Sequence, residues 1–165
     1  MEKLINGREE IQYFASREFS AKHVFFIGRG IDSALAMEAA LKLKEVSYIH
    51  SEAYAAGELK HGTISLIEDG TLVIGVCTQS EVIEKTVSNM VETGSRGAYL
   101  MGLTTAGNYN MEDIANFCVF IPKTDEHFTT SLAVVPLQLM GYYVSLARGV
   151  DVDKPRNLAK SVTVE

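Results

Sequence analysis

The chain has 165 residues, 47% of them hydrophobic and 22% charged, and a net charge of −6. That length fits one domain with a sizeable single core, and the composition is that of a globular protein, not a disordered one. The acidic balance and a pI near 5.3 argue against a phosphate-backbone partner such as nucleic acid.

In chain order, residues 7–19 read as an amphipathic helix with Ile11, Phe14 and Phe19 turned inward. Four short apolar runs follow: His23–Gly28, Thr71–Thr78, Ala98–Thr104 and Phe117–Pro122. Each is continuously apolar instead of alternating, which suits strands covered on both faces. Helical stretches are expected over 33–46, 82–94 and briefly 111–115, with a long apolar helix over roughly Thr129–Ala147. Strands alternating with helices predict a three-layer α/β/α sandwich on a parallel, flavodoxin-like or Rossmann-like sheet. After Val150 the chain turns polar around Pro155, as a tail outside the sheet. No apolar run approaches bilayer-spanning length and no signal-peptide core is present, so the chain reads as cytosolic with no membrane partner. Cys77 and Cys118 sit in apolar runs and read as buried thiols; no spacing supports a zinc or other metal site.

Ligands of such sheets bind beyond the carboxyl ends of the strands. Three segments fall there: Gly28-Arg29-Gly30 leading to Asp32 and Ser33, Thr78-Gln79-Ser80, and Thr104-Thr105-Ala106-Gly107. The first lacks the third glycine of a dinucleotide fingerprint, since Ser33 stands there, so no nicotinamide cofactor is implied. Asp32 reads as a helix N-cap that would repel a phosphate. His23, His50 and His127 read as structural.

The stretch from Glu38 to Gly62, EAALKLKEVSYIHSEAYAAGELKHG, is different. On a helix over 33–46, Glu38, Lys42 and Glu45 share one face. Taken alone, such a row is ordinary salt-bridge decoration. The loop after it is rich in Ala and Gly, too small to build a core, and presents Glu58, Lys60 and His61 where chemistry commonly sits. His61 can exchange protons near neutral pH. Lys160, in NLAKSVTVE, reads from pattern alone as a solvated tail lysine.

That stretch and the terminal DVDKPRNLAKSVTVE resemble the glucosamine-6-phosphate synthases, the isomerising glutamine:fructose-6-phosphate aminotransferases. The similarity runs from about His23 to Glu165 and is to the second of the family's two sugar isomerase (SIS) domains. It implies a linker and leading helix over 1–22, an SIS domain over 23–149 and an active-site tail over 150–165. It also implies that the family's first SIS domain, with its phosphate-binding turns, and its glutaminase domain are missing here. The resemblance assigns roles residue by residue. Lys160 would form a Schiff base with the ketose carbonyl, and Glu45 would move a proton between C1 and C2. Lys42 would assist proton handling, and His61, supplied by a neighbouring subunit of a homodimer, would open the sugar ring. The backbone of Ala159 would contact the substrate, fructose 6-phosphate or its product glucosamine 6-phosphate, and no cofactor is needed. One departure is Thr63, where proline is expected in many relatives. The alternative is a free-standing SIS-type module that binds a phosphosugar or an oligomeric partner without catalysis.

Overall fold

The computed structural model describes residues 1–156 and Leu158. Its centre is a five-stranded, all-parallel sheet in the order β2-β1-β3-β4-β5, with β1 at His23–Gly28, β2 at His50–Ala55, β3 at Leu72–Cys77, β4 at Tyr99–Thr105 and β5 at Phe117–Ile121. This is the flavodoxin-like order, and the three-layer architecture expected from the sequence is what forms. The helices are α1 (Glu2–Asn6), α2 (Arg8–Glu18), α3 (Ile31–Ser47), α4 (Ile83–Gly94) and α5 (Glu126–Ala147).

The apolar runs are continuous because the sheet is buried on both faces. Val24, Phe26, Leu72, Ile74, Val76, Met101 and Leu103 face a core closed by α2, α3 and α5. Phe25, Ile27, Val73, Cys77 and Leu100 face the opposite layer, with Met90 of α4 and Leu59 of the turn after β2. Cys77 and Cys118 are free thiols, and burial pushes Cys118 up to about 11.

Four differences from the sequence reading have physical causes. The helix expected over 7–19 forms as α2, and a short extra helix, α1, precedes it across Gly7, too brief to show a period in the sequence. A fifth strand, β2, forms at the sheet edge; HSEAYA is half-exposed there and lacks the apolar continuity that marks the inner strands. The segment expected as helix 111–115 is a 3-10 turn at Tyr109–Asp113. Finally, α5 has 22 residues and is, by length and composition, apolar enough to cross a membrane. Its Ala133, Leu137, Met140 and Val144 are buried against the layer it shares with α2 and α3.

The close approach of β1 to the start of α3 depends on Gly28. A Cβ there would lie 2.6 Å from the carbonyl carbon and oxygen of Asp32, backbone that cannot move aside as a side chain would. Gly28→Ala is expected to destabilise the fold by about 2–3 kcal/mol. Urea unfolding should show it as a lower midpoint at constant slope. A change within about 0.5 kcal/mol would mean this turn has slack.

Candidate functional site

The carboxyl edge of the sheet is organised around Asp32. It was expected to cap α3, but Gly30 occupies the cap with φ 59°, and Asp32 lies inside the first turn. Its side chain, 1% exposed, turns across the β1–β3 crevice to the loop after β3. There one oxygen accepts the Thr78 N–H at 2.7 Å and the Gln79 N–H at 3.2 Å, and the other accepts the Thr78 hydroxyl at 2.6 Å. Burial raises the Asp32 pKa against the opposing pull of these hydrogen bonds. The peptide N–H groups that would cradle an anion at this switch point are therefore occupied by the protein's own carboxylate. Arg29 is also turned inward, donating to Asn89 of α4 at 3.0 Å and lying over Gly57, where a Cβ would meet its guanidinium at 2.8 Å.

Beside this crevice, Thr78, Ser80, Thr105, Gly107, Lys123 and Glu126 line a cavity of about 260 Å³. Glu126 accepts the Ser80 N–H at 3.2 Å, so here too a carboxylate takes the backbone donor. The cavity holds hydroxyls and one lysine, without the converging donors of a strong anion site.

The sequence-predicted residues fall in two places. Lys42 and Glu45 are one turn apart near the carboxyl end of α3, with Nζ 2.6 Å from Oε2. Glu45 accepts the ammonium's hydrogen bond, which raises the Lys42 pKa; Glu38 adds to the rise by charge. Lys42 is thus held more firmly as a cation. Partly exposed pairs at this spacing stabilise a helix by only about 0.3–0.5 kcal/mol. His61 ends the 3-10 turn Glu58–His61, which follows β2 at the opposite, carboxyl edge of the sheet. Leu59 is buried beneath that turn and Lys60 is held by Glu92 of α4 at 3.4 Å, leaving His61 exposed. Glu45 is fourteen residues beyond the start of α3, which puts it about 21 Å along the helix from the carboxyl edge. The structure therefore brings Lys42 and Glu45 together and does not bring His61 to them within one chain. Ala159 and Lys160 lie outside the described residues.

Sequence reasoning missed the residue that follows α3. Tyr48 closes the helix in the left-handed region, φ 62° and ψ 17°, with its N–H donating to the Lys44 carbonyl at 3.2 Å. It is the one non-glycine residue at positive φ among the described residues. Such a backbone costs a tyrosine about 1 kcal/mol or more. Its hydroxyl accepts the Arg156 N–H at 2.7 Å, and the Arg156 guanidinium carbon sits 4.2 Å from the ring centroid. Helix-cap rules favour Gly or Asn at such a position, so the letters of the sequence carried no signal for it.

Comparison with known proteins matches residues 19–148 to the SIS domain family. The chain is 54% identical over 162 residues to a glutamine–fructose-6-phosphate aminotransferase (isomerizing) of Caldanaerobacter subterraneus, covering 98% of this chain and 27% of that relative. It is 56% identical over 164 residues to the protein of the same description from Clostridium tetani, again covering 27% of it. Among solved structures, the C-terminal domain of glucosamine-fructose-6-phosphate aminotransferase from Francisella tularensis superposes with a TM-score of 0.84 at 33% identity. It covers 91% of this chain and 42% of that one. The chain thus spans about a quarter of the length of the curated relatives it matches.

Proposed function

The chain belongs to the SIS domain family, and from that premise we propose that it supplies the C-terminal isomerase half of an amidotransferase that makes glucosamine 6-phosphate from fructose 6-phosphate and glutamine-derived ammonia. The observation that carries this reading is the Lys42–Glu45 pair, a base beside a retained cation, in a chain 54% identical to an isomerising aminotransferase. The opened ketose condenses through its C2 carbonyl with the Lys160 amine, releasing water. Ammonia then displaces the lysine, leaving the sugar as a C2 imine. That imine acidifies the C1 hydrogens, and Glu45 removes one. Returning the proton at C2, with loss of the O1 proton, leaves an aldehyde at C1 and the amine at C2. Lys42 offsets the charge that develops as the proton moves, and His61 opens the ring. Because Glu45, near the carboxyl end of α3, and His61, on the turn after β2, lie toward opposite edges of the sheet, a second copy of the chain provides the histidine, as in a homodimer.

The occupied donors around Asp32 support a division of labour in which another domain holds the sugar's phosphate. The 165-residue chain alone is then inactive, since phosphate contacts that orient the sugar contribute much of the rate. Titration calorimetry with fructose 6-phosphate should give only weak binding. A micromolar, stoichiometric isotherm would mean that this half holds the sugar unaided.

A further inference from the structure

The contact between Tyr48 and Arg156 is unusual in using one residue twice. Both the backbone N–H and the guanidinium of Arg156 land on the same tyrosine, the first on its hydroxyl and the second on its ring face. A single contact would let the chain pivot, whereas two fix its direction as well as its position. The approach to that point is shaped in turn. Arg148 donates to the Phe19 carbonyl at 2.8 Å, and Gly149 turns the chain at φ 69°. The Asp151 carboxylate then accepts the N–H groups of Asp153 and Lys154 at 2.9 and 3.2 Å, and Pro155 stiffens the residue before Arg156. At the other partner, the left-handed backbone of Tyr48 would be sterically easier for glycine or asparagine. A tyrosine held there points to a need for its side chain.

We propose that Tyr48 is a positioning residue: by its two-point grip on Arg156 it anchors the chain beside the carboxyl end of α3, and this anchor supports turnover at the Lys42–Glu45 pair. The second half of that statement rests on the function proposed above; the anchor itself does not. Tyr48 is three residues past Glu45, at the same end of α3.

Trypsin reads the anchor directly in the 165-residue chain, by the rate of cleavage after Arg156 relative to cleavage after Arg148. Tyr48→Gly removes the side chain and relieves the positive φ, so it should fold without loss of thermal midpoint. Cleavage after Arg156 should speed up about tenfold, the scale of one hydrogen bond and one exposed cation–π contact together. Tyr48→Phe, which keeps the ring and loses the acceptor, should fall between. Equal cleavage after Arg156 in wild type and Tyr48→Gly would overturn the anchor, as would acceleration at both arginines alike, which reports general loosening. The positioning role is read in a chimera in which this chain replaces the matching part of the Caldanaerobacter relative. Tyr48→Gly should lower kcat about tenfold with KM changed far less, and Tyr48→Phe should recover part of it. A released tail with unchanged kcat would overturn that role. An inactive unsubstituted chimera would instead count against the proposed function and leave the trypsin result standing.

Discussion

Glu45→Gln in that same chimera is expected to abolish glucosamine 6-phosphate formation while leaving the fold unchanged. An amide matches the carboxylate in shape but cannot take the C1 proton, and loss of a positioned base commonly costs about 10²–10⁴-fold in rate. The fold should not notice. The ion pair with Lys42 is partly exposed on both sides and contributes a few tenths of a kcal/mol at most, about 0.3–0.5. This mismatch between a negligible stability effect and a large rate effect separates a catalytic carboxylate from a decorative one. Near-normal product formation by the variant would remove Glu45 from the mechanism. Lys160→Arg should fail in the same assay for another reason, because a guanidinium stays protonated and forms no imine.

Asp32 should give the opposite pattern, a large effect on stability that depends on which residue replaces it. Alanine would strand the Thr78 and Gln79 N–H groups in a buried crevice, and the expected loss is about 3 kcal/mol. Asparagine can accept both N–H groups through its carbonyl and offers its amide to the Thr78 hydroxyl, without burying a charge. Asp32→Asn should therefore be at least as stable as wild type at neutral pH. The pH dependence has a definite sign. Burial raises the folded-state pKa of Asp32 above its unfolded value, so the folded chain takes up a proton that the unfolded chain does not. That contribution is complete below the unfolded pKa and is lost as pH rises through the folded one. Asp32→Asn should flatten this part of the stability profile between about pH 4 and the raised folded value. Equal destabilisation by alanine and asparagine in urea melts would show that the clasp between the two turns is not what Asp32 contributes.

How far the sequence reached depended on whether the relevant physics was local. Val24–Ile27 and Val73–Val76 were legible as strands because burial on both faces writes itself as unbroken apolar residues. His50–Ala55 was not, because an edge strand has one side free and tolerates Glu52 and His50. Lys42 and Glu45 were legible as neighbours because helical spacing puts them on one face. The Asp32 clasp was hidden, since its partners Thr78 and Gln79 are 46 and 47 residues away and only the β1–β3 pairing brings them close. Tyr48 was hidden for a different reason: a left-handed backbone with a bulky side chain is set by what the side chain holds, against local preference.

The pairing of α5 with α2 and α3 also bears on how the molecule is made. Synthesis delivers α2, β1 and α3 well before the helix that covers them, which ends at Ala147. Between Phe19 and that point lie 128 residues, which at roughly 5–20 residues per second leave the apolar faces of α2 and α3 uncovered for on the order of ten seconds. When α5 does leave the ribosome, it does so as a segment apolar enough to be taken for a membrane span. This half of the core closes only once α5 has emerged, and until then the nascent protein presents the surfaces that chaperones recognise.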